Sequence, residues 1–315
     1  MKQIDYYIEK ANRIAMSGHI RPDGDCIGST LALYNYIKEN YPEKEIFLPL
    51  DEILDSFRFL KSSDEIDHTF PEKEAFDLFV ALDCADSSRL EPSEKYLKEA
   101  KYTLCIDHHI SNEGFADENL IVPDASSTCE VLYDLLDPEK VSEEVAECLY
   151  VGIVHDSGVF QYSCTSENTF RVAGRLISKG FDFTKIIDDT FNMKSYDQNR
   201  ITGKVLEESK LYLEGKVVSG SVSKADMEKY HVTAKHLDGI VSQLRYTRGI
   251  EAAVFGYPLD ENTYKISFRS NGLDVAKVAQ SFGGGGHVRA AGCSIEGKNW
   301  EEVLAKILPE LEKII

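Results

Sequence analysis

No stretch of this 315-residue chain approaches the roughly twenty consecutive apolar residues that a membrane-spanning helix needs. The opening residues, Met1-Lys2-Gln3-Ile4-Asp5-Tyr6-Tyr7, lack the apolar run and small-residue cleavage site of a secretory signal, so the expected location is the cytoplasm. Cysteine is scarce and odd in number: seven residues, none in a Cys-x-x-Cys pair. That excludes a disulfide framework and a thiolate zinc site, and it fits reduced thiols in a cytosol. Positive charge is short as well. Thirty-five basic residues face 54 acidic ones, for a net charge of −19. Such a surface repels long polyphosphate backbones and argues against long duplex DNA as a partner, while leaving room for a small anionic substrate. Internal repeats and low-complexity segments are also missing. What is present is a hydrophobic fraction of 43%, enough for one large core or two ordinary ones.

Strand-like apolar runs alternate with helical periodicity through the first half. The 2–14 segment has helical spacing, and Ile14 to Gly18 reads as a strand that runs into the loop His19-Ile20-Arg21-Pro22-Asp23-Gly24-Asp25. A buried helix is expected from Cys26 to Asn40 and a strand from Glu45 to Leu48, stopped by Pro49. Leu78 to Leu82 is continuously apolar, as a strand covered on both faces should be, and Thr103 to Ile106 repeats the pattern before Asp107-His108-His109. Ser127-Thr128-Cys129-Glu130 has the form of a capping box opening a helix to about Leu136. A further helix from Ser142 to Val154 leads into His155-Asp156-Ser157-Gly158. Residues 166–210 look helical almost throughout, with a joint at Asn192 to Ser195. Near residue 212 the pattern changes to strands at Lys216–Val222, Ala252–Tyr257 and Thr263–Arg269. A helix from Asp274, a glycine run and a closing helix from Asn299 follow. The expected fold class is α/β, a mostly parallel sheet flanked by helices, followed by a smaller α+β C-terminal domain.

Polar groups collect where these elements end: His19, Asp23, Asp25, Asp83, His108 and Asp156. Taken singly, Asp23-Gly24-Asp25 is an ordinary turn, and Asp83, Asp107 and Asp156 are ordinary helix N-caps. Four element ends finishing in the same way are a different matter. In an open α/β sheet the carboxyl ends of strands line the ligand crevice. Four carboxylates in one crevice repel, at about 4 kcal/mol for each pair of charges 4 Å apart and an effective dielectric near 20. Two divalent cations would cancel that charge, with neutral imidazoles completing the shells. An oxygen-rich set with histidine suits Mn²⁺, then Co²⁺ or Mg²⁺. Two such ions are the machinery of phosphoryl hydrolysis.

Together, His19-Ile20-Arg21-Pro22-Asp23-Gly24-Asp25-Cys26-Ile27-Gly28-Ser29, Asp83, Asp107-His108-His109 and Asp156-Ser157-Gly158 resemble the four motifs of the DHH phosphoesterases. Gly283-Gly284-Gly285-Gly286-His287 with Ser267-Phe268-Arg269-Ser270 resembles the DHH-associated domain of that family. The resemblance implies a catalytic domain over 1–190, a helical linker over 191–211 and a substrate-binding domain over 212–315. It implies one metal ion on His19 and Asp23, another on Asp25 and His108, and Asp83 and Asp156 at or between both. His109 would face the scissile phosphate, and Asp107 would orient the imidazoles. Arg269, Ser270, Gly284, Gly285, Gly286 and His287 would hold substrate. Between Ile240 and Gly292 six basic residues outnumber four acidic ones, modest support for an anion grip in an acidic chain.

Length and paired domains are most similar to the subgroup acting on nanoRNA and 3′-phosphoadenosine 5′-phosphate. That implies short RNA oligonucleotides or small phosphorylated nucleotides as partners, no membrane or long duplex DNA, and a possible homodimer. The alternatives are a cyclic-dinucleotide phosphodiesterase of the same family and a nucleotide sensor without turnover. A pyrophosphatase would need a Ser-Arg-Lys stretch, which is missing, and a processive exonuclease would need a basic track. His155, next to Asp156, is expected to be a helix-face residue rather than a ligand.

Overall fold

The computed structural model describes residues 3–315, which divide after Met193 into two compact units. In the first, five strands form one sheet: β1 (Arg13–Ser17), β2 (Glu45–Phe47), β3 (Leu78–Leu82), β4 (Thr103–Asp107) and β5 (Glu118–Ile121). Their order is β2-β1-β3-β4-β5 and every pairing is parallel. The continuous apolar runs are explained by cover on both faces. Ile14, Met16, Val80, Leu82, Leu104 and Ile106 join the core that includes the helices Gly24–Asn40 and Glu143–Asp156. The residues between them, Ala15, Phe79, Ala81 and Cys105, point the other way and pack with Phe76, Leu90, Tyr96 and Leu97. Alternation across the pleat thus fills two cores from one set of strands.

This order places a topological switch between β1 and β3. The chain leaves β1 toward β2 on one side and returns as β3 on the other, so the loops after β1 and β3 diverge and leave a crevice at their carboxyl ends. His19 and Asp83 lie just beyond these two ends, and Asp107 closes β4.

The second unit carries a mixed six-stranded sheet: β6 (Lys210–Tyr212), β7 (Val217–Ser221), β8 (Ala252–Pro258), β9 (Thr263–Ser270), β10 (Gly285–His287) and β11 (Ala290–Glu296). The order is β10-β11-β9-β8-β7-β6, antiparallel except for β7 with β8. The 191–211 segment expected as a linker contributes the helix Tyr196–Glu208, whose Ile201 and Val205 are fully buried with Val218, Leu244 and Phe255 of the second unit. The 166–210 region is broken more often than its periodicity shows, into helices at Glu167–Ile177, Phe183–Ile187 and Tyr196–Glu208 with a wide turn at Asp188–Asn192. Among the described residues of the 2–14 segment only Asp5–Ile8 is α-helical, and β1 already begins at Arg13. Among the described residues, no helix is long and apolar enough to cross a membrane.

Candidate metal centre

Each of the six clustered side chains is aimed by a local device. Beyond β1, the chain brings in His19, which is only 5% exposed. Its Nδ1 pairs with the Ile20 carbonyl at 2.9 Å, leaving Nε2 at 3.5 Å from Asp83 Oδ2 and 3.7 Å from Asp23 Oδ2. Asp23 does cap a helix, since its Oδ1 accepts the N–H groups of Asp25 and Cys26 at 3.1 and 3.2 Å. Its other oxygen faces His19. The turn and the site are therefore the same structure.

Asp25 is fully buried and points at the start of the helix Thr128–Leu135, where its two oxygens accept the N–H groups of Thr128 (2.6 Å) and Cys129 (2.9 Å). A helix N-terminus offers unpaired N–H groups and a favourable dipole, so an anion is at home there. Close approach is needed to reach it: a Cβ on Gly152 would stand 2.5 Å from Asp25 Oδ1 and 2.3 Å from Cys129 Sγ. Any larger residue at 152 would push that carboxylate off the helix end.

Asp83 follows β3 with a φ of 54°, a left-handed value rare outside glycine and common at functional sites. It is not a helix N-cap. Its Oδ1 accepts from Thr128 Oγ1 at 3.1 Å and lies 3.8 Å from His108 Nε2 and 3.7 Å from His109 Nδ1, while Oδ2 faces His19. No helix follows Asp107 either. Its Oδ1 is 2.8 Å from His109 Nδ1 and its Oδ2 accepts from Asn112 Nδ2 at 2.7 Å. Asp156 ends its helix rather than starting one, and its Oδ2 is 3.1 Å from His108 Nε2.

Ligand-type atoms within 4.8 Å of one another form three overlapping groups: His19, Cys26 and Asp83; Asp83, His108 and His109; Asp25, His108 and Asp156. Asp83 joins the first two groups and His108 joins the last two. The electrostatics show what the groups are short of. Burial raises the Asp25 carboxyl well above its usual range, and repulsion from Asp83 and Asp156 adds to it. Burial also lifts Asp156, helped by Asp83 and opposed by its contact with His108. Burial would lower the two imidazoles, yet the carboxylates around them outweigh it and hold both His19 and His108 up near about 10. His109 is raised first by its hydrogen bond to Asp107. In short, buried carboxylates here attract any available positive charge. The donor set fits divalent cations on hard oxygen and imidazole ligands.

His155 stands outside these groups. Its Nε2 is 2.9 Å from Thr190 Oγ1, and its ring meets Phe57 and Phe191 edge-on. Three contributors were not legible as site residues. Asn112 fixes Asp107, and the Thr128 and Cys129 N–H groups fix Asp25. The expected capping box is half formed: Ser127 Oγ accepts the Glu130 N–H, but Glu130 turns to Ser126 and Thr169.

The remaining candidates belong to the second unit. Arg269 on β9 stands opposite Ala290, which stands opposite His287 of β10. Directly opposed residues share a face, so Arg269 and His287 flank the small Ala290 on one side of the sheet. Gly285 and His287 are exposed. Gly286, with a φ of 141°, lies so close to β11 that a Cβ would meet Ala290 O at 2.5 Å, and the end of the glycine run is an edge strand. Gly284 precedes it and is half-buried. Ser270 is 1% exposed and its hydroxyl donates to Leu273 O at 2.5 Å.

Comparison with known proteins finds two family matches along the chain. Residues 13–153 match the "DHH family, N-terminal domain" and residues 215–315 match the "DHHA1 domain". The "Bifunctional oligoribonuclease and PAP phosphatase NrnA" of Bacillus subtilis is 32% identical over 96% of this chain and 94% of its own length. The protein of the same name from Thermus thermophilus is 30% identical over 94% and 88%. Among solved structures, an exopolyphosphatase-related protein from Bacteroides fragilis superposes with a TM-score of 0.88 at 26% identity, covering 98% of this chain and 94% of that one.

Proposed function

Since this chain belongs to the DHH family, with a DHHA1 domain following its DHH domain, we propose that it is a metal-dependent hydrolase of short oligoribonucleotides and of 3′-phosphoadenosine 5′-phosphate. The observation that carries the proposal is the convergence of His19, Asp23, Asp25, Asp83, His108 and Asp156 at the switch point of the parallel sheet. His19 and Asp23 would hold one divalent ion, Asp25 and His108 a second, with Asp83 and Asp156 at or between them. Such ions, when bound, lower the pKa of water and neutralise charge on a phosphoryl group. Mn²⁺ suits the donors best, then Co²⁺ or Mg²⁺.

The chain's own residues do the positioning. Asp107 holds His109 by Nδ1, which leaves its Nε2 to face a phosphate. In the second unit Arg269 and His287 offer hydrogen bonds to a nucleotide. The intact carboxylate set favours turnover over a sensor role. A cytoplasmic setting fits the seven free thiols, six of them buried.

The test is a substrate panel with Mn²⁺-loaded protein: ribodinucleotides to pentanucleotides, 3′-phosphoadenosine 5′-phosphate, linear and cyclic dinucleotides, and pyrophosphate. Release of mononucleotides from the short RNAs, lost with chelator and restored by Mn²⁺, is the expected result. Undiminished activity in metal-free protein, or hydrolysis of pyrophosphate alone, would overturn it.

A further inference from the structure

Two arginines stand on the loops that leave the switch point, and their charge is unspent. Arg21 lies between His19 and Asp23 on the loop after β1, and Arg89 lies on the short turn Ser87–Leu90 after β3. One backbone hydrogen bond crosses between the loops: the Ile20 N–H donates to Arg89 O at 2.8 Å. Both side chains are exposed. Arg13, Arg58 and Arg171 of the same unit each hold a carboxylate, whereas Arg21 and Arg89 form no ion pair among the described residues.

Carboxylates lie close to both, but they accept from other donors. Asp51 accepts the N–H of Arg21 at 3.0 Å through Oδ2 and that of Glu52 at 2.8 Å through Oδ1. Asp86 accepts the Ser88 N–H at 3.0 Å and its hydroxyl through the same Oδ1. The Asp51 contact helps fix Arg21 in a left-handed conformation, φ 55°, which costs energy for a residue with a Cβ.

In a chain of −19, two arginines without an ion pair, on the loops that carry His19, Asp23 and Asp83, call for an anionic partner. Charge balance says which kind. Four site carboxylates are cancelled by two divalent ions, so a phosphate under attack enters a nearly neutral site. A second phosphate on the same substrate would still carry close to two negative charges, and two guanidinium forks match them in charge and in geometry.

We propose that Arg21 and Arg89 grip a second, non-reacting phosphate of the substrate, and that this grip makes the enzyme selective for doubly phosphorylated small nucleotides. The proposal rests on the function given above and adds a specificity determinant within the first unit.

The test compares two compounds that differ by one phosphate, 3′-phosphoadenosine 5′-phosphate and adenosine 3′-phosphate, with wild type, Arg89→Gln, Arg21→Gln and Arg89→Lys. Metal content and melting temperature are measured for each protein. The wild type should prefer the diphosphorylated compound. Arg89→Gln should lower kcat/KM for it by about 10- to 100-fold, the worth of a charge-assisted hydrogen bond, mostly through KM. Adenosine 3′-phosphate should change by less than about 3-fold on the same scale. Arg89→Lys should recover part of the loss, and Arg21→Gln should act in the same direction. Equal losses on both compounds, or a wild type indifferent to the second phosphate, would overturn the grip and leave the phosphoesterase reading standing. Failure of the wild type to hydrolyse any nucleotide in the panel would remove that reading and the grip with it.

Discussion

The Asp25 carboxylate accepts the backbone N–H of Thr128 at 2.6 Å across 103 residues of sequence. With Cys129 N–H on the other oxygen, it occupies the open end of the Thr128–Leu135 helix from fully buried ground. The arrangement serves two purposes, fixing a ligand-type oxygen beside His108 and satisfying two buried donors. Removing the side chain strands both donors, at about 1–3 kcal/mol each, while it relieves repulsion from Asp83 and Asp156. The hydrogen-bond loss should win. Asp25→Ala should lower the unfolding free energy of metal-free protein by about 2–4 kcal/mol in urea titrations. Unchanged stability would mean that repulsion had cancelled it.

Asn112 supports Asp107 at 2.7 Å and also donates to Cys84 O at 3.0 Å, tying the end of β4 to the end of β3. Asp107 in turn holds His109. Because the Asn112 side chain hydrogen-bonds Cys84, Cys105, Asp107 and Gly114 and none of the proposed metal ligands, Asn112→Ala should keep metal content while lowering kcat by about 10- to 100-fold, as removal of a supporting partner usually does. Loss of metal in step with activity would instead give Asn112 a role in assembling the centre.

Apolar runs such as Leu78–Leu82 declare a strand covered on both faces, and four element ends bearing carboxylate or imidazole declare a site, so the first unit was largely readable from sequence. Short, polar or glycine-rich strands were not. β5 contains Glu118 and Asn119, β10 is Gly-Gly-His, and the 290–296 strand opens with Ala-Ala-Gly. Their strand character comes from neighbours, not from side-chain pattern. Asn112 was missed for a related reason. A lone Asn has no periodicity, and its meaning depends on Asp107 and Cys84 meeting in space. Asp23 reads as part of a turn, and only the fold reveals that its side chain caps a helix and also faces His19.

Within the second unit, Arg269, His287 and Ser270 make separable claims. Arg269 and His287 share a face across Ala290, while the Ser270 hydroxyl is spent on Leu273 O. Arg269→Ala and His287→Ala should each raise KM for a ribodinucleotide and leave metal stoichiometry and melting temperature unchanged. Ser270→Ala should do the reverse, costing about 1 kcal/mol of stability for a lost buried hydrogen bond with little effect on KM. A Ser270→Ala defect confined to KM would put the hydroxyl on the substrate.

Asp77, just before β3, offers a pH test at the other end of that strand from Asp83. Its Oδ2 accepts the N–H groups of Asn12 and Arg13 at 2.9 and 3.0 Å, and its Oδ1 holds Lys101 at 2.8 Å. Lys101 first, then the backbone donors, hold its carboxyl down to about 2. A depressed folded-state pKa contributes stability above the unfolded value near 4, and that contribution fades as pH falls through the folded value. The pair with Lys101 is exposed to solvent and worth little, so most of the effect lies in the hydrogen bonds that start β1. Asp77→Asn should therefore destabilise the protein by about 1–2 kcal/mol at pH 7. The gap to wild type should narrow steadily from about pH 4 toward pH 2, followed by urea midpoints at each pH. A gap that stayed constant over that range would show that the carboxylate's charge contributes nothing to holding the entry of β1.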